Sequence, residues 1–305
     1  MKLIPIAAAA LASTVLALLP TSANAAGICE KTTASAASGC NDSASSHYNY
    51  TLGACANLGT VIERDKCATK ASRVFTDAGK LCTAQANERR KICNDIGQAA
   101  YNPAINPADF SSVIDNPWLP MKPGSVYKYR NNLDGAEVTI TVTHDKIKLM
   151  GVTCLVIHDV NRIGGVIEED TLDYFAQHKD GSVWYFGEDT VSYENGVANT
   201  KGSWRAGLNG AKPGITMFAN PAVGKTYRQE FFLGEAEDVA HGAAINQHAK
   251  VPFGTFNNAY VTNDYTAIEP GKVENKFYVR NIGNVLVVNP ATGEREELVS
   301  FTKGP

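Results

Sequence analysis

Cysteines at positions 29, 40, 55, 67, 82 and 93 stand 11, 15, 12, 15 and 11 residues apart, and this palindrome constrains the chain more than any other feature. Cys29 with Cys93, Cys40 with Cys82, and Cys55 with Cys67 all centre on Val61. An antiparallel pair of helices produces that relation, because residues equidistant from the turn face each other. Helical phase agrees: a step of 11 returns to within about 20° of its start, and a step of 15 to within about 60°. Gly59 ends a first helix, and Thr60-Val61-Ile62-Glu63 is a capping box for a second. Of the roughly fifteen pairings open to six cysteines, the nested one is therefore expected. The segment is short and alanine-rich, so cross-links must replace a missing apolar core. Spacings of 11 and 15 are unlike the close cysteine pairs of zinc sites. Gly39, Asn41 and Asp42 weaken the middle of the first helix and predict a break there.

Upstream, Met1-Lys2, the uncharged apolar run Leu3 to Leu19, Pro20 and Ala23-Asn24-Ala25 read as a secretory signal over residues 1–25, with the mature chain starting at Ala26. The run is shorter than the roughly 18 uninterrupted apolar residues a spanning helix needs, so no transmembrane segment is expected. Ile28 before Cys29 argues against a lipid anchor. The expected location is periplasmic or extracellular, where disulfides persist.

No proline falls between Pro20 and Pro103, whereas eleven follow Tyr101. This shift divides the mature chain into a helical hairpin over 26–100 and a β-rich domain over 101–305. Residues 26–100 carry nine Lys/Arg against seven Asp/Glu, and residues 101–305 carry 18 against 24. Neither part has the clustered positive charge of a nucleic-acid binder. Asn102-Pro103-Ala104-Ile105-Asn106-Pro107 reads as a linker. Beyond it come short alternating runs: Val126 to Arg130, Glu137 to Thr143, Cys154 to Arg162, Val166 to Gln177, Val183 to Phe186, Val197 to Trp204, Ala259 to Ile268, Lys272 to Val279 and Val285 to Asn289. Asp134-Gly135, Gly164-Gly165, Asp180-Gly181 and Asn195-Gly196 supply tight turns between neighbours. The fold class is mainly β, an antiparallel meander forming a barrel, half-barrel or sandwich, preceded by the disulfide-stapled hairpin. One helix is expected in this half, from Gly234 to about His248, with acids at its start and His248 and Lys250 at its end.

Several stretches resemble a family of exported bacterial proteins of unassigned function. They are Val183-Trp184-Tyr185-Phe186-Gly187-Glu188-Asp189, Gly202-Ser203-Trp204, Ala206-Gly207, Gly210-Ala211-Lys212-Pro213-Gly214-Ile215, Tyr227-Arg228-Gln229-Glu230 and Gly234-Glu235-Ala236-Glu237-Asp238. The resemblance runs from about Pro107 to Val287 and leaves out the hairpin. It implies export and a shared β fold, and it carries over no catalytic residue.

The sequence contains no nucleophile elbow, zinc-protease helix, phosphate loop or dinucleotide fingerprint. Its most suggestive feature is acidic: Glu168, Glu169, Asp170, Asp173, Asp180, Glu188 and Asp189 lie between Asp159 and Glu194, against only Arg162 and Lys179. If the hairpin turns at His178 to Gly181, Phe175 faces Trp184, Asp173 faces Phe186 and Thr171 faces Glu188. Asp173, Phe175, Trp184, Phe186 and Glu188 then share one face, as a polar-ligand pocket or as an aromatic core with acids at its edge. Glu237, Asp238, His241 and His248 share a face of the expected helix and could hold a divalent metal, or could simply complement the helix dipole. Arg228 and Glu230 form a salt bridge or anchor an anionic ligand. Cys154 has no evident partner.

The functional expectation is an exported binding module with a small-molecule or metal pocket in the β domain, and with the hairpin available to a protein partner. The alternatives are a hydrolase using Asp173 and Glu188 as acid and base, or a structural envelope protein.

Overall fold

A computed structural model describes residues 27–305. The signal sequence expected over 1–25 and the start at Ala26 lie outside the described residues.

Two long helices, α1 (Ile28–Ala56) and α2 (Val61–Ile96), form the antiparallel hairpin. Thr60 caps α2 by accepting from the Glu63 amide at 3.2 Å, while the Glu63 carboxylate accepts from the Thr60 amide at 3.0 Å. Disulfides join Cys29 to Cys93, Cys40 to Cys82 and Cys55 to Cys67, the nested set the midpoint required. Cys29, Thr33 and Cys55 are the buried residues of α1, so two of its three inward anchors are disulfide sulfurs. The expected break at Gly39 is corrected: α1 runs unbroken, with the Asn41 amide turned back onto the Ala37 carbonyl at 2.8 Å. Nearby cross-links at Cys29 and Cys40 hold helical geometry that propensity alone would weaken.

The rest of the described chain is an antiparallel sheet of sixteen strands. They are β1 (Phe110–Ser111), β2 (Val126–Asn131), β3 (Glu137–Leu149), β4 (Val152–Ile163), β5 (Val166–His178), β6 (Val183–Glu194), β7 (Val197–Asn199), β8 (Trp204–Arg205), β9 (Lys212–Met217), β10 (Thr226–Arg228), β11 (Glu230–Phe231), β12 (Asp238–Val251), β13 (Gly254–Thr266), β14 (Val273–Val279), β15 (Gly283–Asn289) and β16 (Glu294–Thr302). Their order is β10-β12-β13-β14-β15-β16-β2-β3-β4-β5-β6-β9-β11. The two ends of this path are one piece of chain, since β10 pairs with β12 and β11 pairs with β9. The sheet thus nearly closes into a barrel, which leaves little edge exposed. At the seam Gly214 is required, because a Cβ there would collide with the Gln229 backbone. Asn195-Gly196 takes positive φ at both residues, 53° and 76°, as a two-residue hairpin turn demands.

The helix expected from Gly234 to His248 is corrected to the strand β12. Alanine and glutamate favour a helix there, but β10 and β13 offer hydrogen-bonded edges on both sides, and tertiary pairing overrides propensity. Gly242 fits because a side chain at that point would strike the Ala222 carbonyl.

One end of the barrel is stoppered by residues 114–121. Ile114 and Met121 pair with each other and join the inner core with Tyr127, Leu155, Val183, Met217, Tyr260, Val285 and Leu298. Asn116 fastens this plug: its side-chain amide donates to the carbonyls of Gly181 at 2.8 Å and Phe218 at 3.1 Å. The hairpin docks on the outside, where Ile92 packs against Val239 and Ala267.

Candidate functional site in the barrel lumen

Strand alternation sets the lining of the barrel in layers. Next to the plug the inner positions are apolar or aromatic: Tyr127, Val142, Ile157, Phe175, Tyr260, Tyr278 and Leu298. Two residues further along the same strands they become Asp159 on β4, Asp173 on β5, Thr262 on β13, Lys276 on β14 and Glu296 on β16. Two adjoining cavities follow, of about 220 and 310 Å³, sharing Leu119, Tyr129, Ile140 and Asn284. Asp159 and Asp173 are the charged groups of the smaller, whose other walls include Met121, Ile157 and Phe175. Glu274, Glu294 and Glu296 line the larger against Lys276.

Asp173 and Glu188 are directly paired across β5 and β6. The Tyr185 hydroxyl lies 2.5 Å from an Asp173 oxygen and 3.1 Å from a Glu188 oxygen, so one phenol bridges two carboxyl groups. Burial pushes the Asp173 carboxyl up to about 6, against the pull of the Tyr185 hydrogen bond. Burial and then the neighbouring Asp173 charge push Glu188 up to about 8. Asp159 is raised well above the usual carboxylate range by burial and by Asp173, and Glu296 is raised to about 7 by burial despite Lys276. These groups are partly buried, on the inner face of the barrel. Lys276 is held protonated: burial alone would lower its pKa, but Asp264, 3.2 Å away, and other anions outweigh it. The Thr262 hydroxyl and the Tyr227 hydroxyl, on residues 1% and 7% exposed, have no hydrogen-bond partner among the described residues.

Asp173 and Glu188 meet as the sequence reading paired them, but through a different register. Phe175 faces Tyr185 and not Trp184, because the turn takes an extra residue and the His178 amide reaches the Ser182 carbonyl at 2.9 Å. An irregularity at Phe186 then brings Glu188 opposite Asp173. Trp184 and Phe186 are corrected to the outer face, in the core that covers Cys154 and Tyr174, and Phe110 packs edge-on against both.

Arg228 and Glu230 do not form the expected salt bridge, because Gln229 interrupts the alternation between β10 and β11. Glu230 is buried on the lumen side beside Asp238, and burial followed by the Asp238 charge holds its carboxyl well above the usual range. Arg228 turns outward, its guanidinium 4.7 Å from the Phe231 ring centre and 5.7 Å from that of Tyr101.

The metal set is dispersed. Asp238 faces Thr266 inside, His248 is exposed, and His241 Nδ1 lies 2.8 Å from the Thr226 hydroxyl. Glu237, 1% exposed, pairs with Arg89 of α2: Arg89 Nε donates to its two oxygens at 3.1 and 2.9 Å, and Nη2 donates at 2.6 Å. Helical spacing would have converged these side chains, whereas a strand sends neighbours to opposite faces. Among the described residues no group of three or more His, Cys, Asp or Glu is placed to hold a metal ion.

Sequence reasoning missed Tyr185, Lys276 and Glu296 among the lumen residues. Glu274-x-Lys276-x-Tyr278 and Glu294-x-Glu296-x-Leu298 carry the signal, a strand whose inner side passes from apolar to charged.

Compared with known protein families, with curated proteins and with solved structures, the chain finds no match in any of the three.

Proposed function

We propose that this chain is an exported binding module that takes a small organic molecule in the lumen of its β barrel. The carrying observation is the Asp173–Tyr185–Glu188 cluster with Asp159, set above an apolar floor in cavities of about 220 and 310 Å³. Pockets that hold small molecules have this make-up, largely apolar walls and a few converging polar groups. Export is supported by three disulfides, which persist in oxidising compartments. Among the described residues no helix is long and apolar enough to cross a membrane. Metal binding is not part of this reading, given the dispersal of Glu237, Asp238, His241 and His248.

The test uses phenylnaphthylamine, a neutral dye whose fluorescence rises in apolar surroundings. It should bind saturably to the intact protein, and Ile140→Trp, which fills a wall common to both cavities, should abolish the signal while circular dichroism stays unchanged. Equal binding by the parent and the filled variant would place the dye elsewhere.

A hydrolase is the second reading, because the Asp173 and Glu188 carboxyls sit at about 6 and about 8, a split that suits one base and one acid. Turnover of a chromogenic glycoside or ester that Glu188→Gln abolishes would favour it over simple binding.

A further inference from the structure

The lumen is charged in one direction. Its cavities present the carboxyls of Asp159, Asp173, Glu274, Glu294 and Glu296 against a single ammonium, Lys276, and that ammonium is already engaged by Asp264 at 3.2 Å. An acidic lining alone would not name a ligand, since carboxyls can also share protons with each other. Two further observations do. Thr216 and Asn284, both on the wall of the smaller cavity, each keep a buried side-chain oxygen without a partner among the described residues, so that cavity holds unspent hydrogen-bonding capacity. The smaller cavity, moreover, is two-ended: Asp159 and Asp173 meet a surface made by Tyr127, Ile157 and Phe175, with no Lys or Arg on its wall.

An anion placed there would meet carboxylates in a confined, poorly hydrated space, where like charges repel more strongly than in water. A neutral apolar molecule would satisfy the floor and leave the carboxyls unpaired. An ammonium with an apolar body satisfies both ends: its N–H groups donate to carboxylate oxygens in charge-assisted bonds, and its body covers the aromatic floor. We propose that the lumen binds an organic ammonium ion, with its charged head between Asp159 and Asp173 and its apolar body against Tyr127, Ile157 and Phe175. This rests on the reading of the lumen as a ligand site and adds to it the class of the ligand.

The experiment displaces phenylnaphthylamine from the full, disulfide-bonded chain with three probes of matched shape: phenethylammonium, phenethyl alcohol and phenylpropionate. Phenethylammonium should displace the dye at concentrations at least tenfold below the alcohol, and phenylpropionate should be weaker than both. Asp173→Asn should erase the advantage of the ammonium, read as the ratio of the ammonium and alcohol concentrations that displace the dye from that variant, and Asp159→Asn provides the same comparison if the first variant folds poorly. Equal displacement by ammonium and alcohol, a preference for the carboxylate, or no displacement by any probe would overturn the class. In those cases loss of dye binding in Ile140→Trp shows that the lumen reading survives, and unchanged dye binding there shows that the lumen reading itself has failed.

Discussion

Single side chains decide both how the hairpin is held and how the lumen is charged. Arg89 and Glu237 are 5% and 1% exposed, and each is the other's bonded ion-pair partner, with the Gly234 amide also donating to Glu237 at 2.8 Å. Removing one partner of such a pair costs about 3–5 kcal/mol, because a buried charge is left alone. Arg89→Ala should therefore lower stability by about that amount in denaturant unfolding. The paired replacement Arg89→Met with Glu237→Leu should recover most of the loss, and a double variant as unstable as the single one would count against the ion pair as the cause. In the lumen, Tyr185 lowers both Asp173 and Glu188 through its hydroxyl. Tyr185→Phe should move their titrations upward from about 6 and about 8, read by carbon NMR of the side-chain carboxyls. Little of this residue-level detail was legible in the sequence. Arg89 lies among ordinary helix charges, and its partner is 148 residues away. Glu237 attracted notice for a spacing from His241 that matters only in a helix.

Elements were legible where a pattern has one geometric solution. The cysteine palindrome has one, and it yielded the hairpin, its turn and all three disulfides. Loop-closure entropy ranks those bridges, since the Cys29–Cys93 loop spans 64 residues and the Cys55–Cys67 loop 12. Replacing both cysteines of the outer bridge by serine should cost about 4 kcal/mol and of the inner bridge about 3 kcal/mol, measured by thermal unfolding of each variant. The reverse order would mean that strain or residual structure, and not loop length, governs them. Patterns with two solutions were not resolved. Gly234 to His248 satisfies helix charge preferences and can also pair as a strand, and only neighbours far along the chain, Thr226 to Arg228 and Gly254 to Thr266, decide between them. In the hairpin of β5 and β6 a longer turn and one bulge changed which residues face inward. Alternation could establish that strands exist there, but not which residue of Trp184, Tyr185 and Phe186 looks into the lumen.

At the scale of the whole molecule, an acidic lumen makes stability depend on pH in a direction opposite to that of most proteins. Glu188, Glu296 and Asp173 titrate at about 8, about 7 and about 6 in the folded chain, against ordinary values of 4.5, 4.5 and 3.8. The folded protein therefore retains protons that the unfolded chain releases, and stability must fall as pH rises. The contribution of these groups is complete below the ordinary carboxylate range and is lost as pH climbs through each folded value, so the window runs from about pH 4 to about pH 8. Asp189, shifted the other way, and Lys276, shifted in the same direction, both act outside it. Asp189, lowered chiefly by its hydrogen bond from Arg205, matters only below 3.8, and Lys276, raised above 10.5, matters only in alkali. Tm should accordingly be several degrees higher at pH 5 than at pH 8. Glu188→Gln, which replaces the group raised furthest of these three by one that cannot ionise, should flatten the slope between pH 6 and pH 8 more than Glu296→Gln or Asp173→Asn. A bound ammonium should do the same, because a cation beside the carboxyls removes the penalty on their ionised form. Scanning calorimetry across this range, with and without phenethylammonium, measures both effects on one protein. A Tm that rises from pH 5 to pH 8 would show that the lumen carboxyls are already ionised and compensated in the empty barrel.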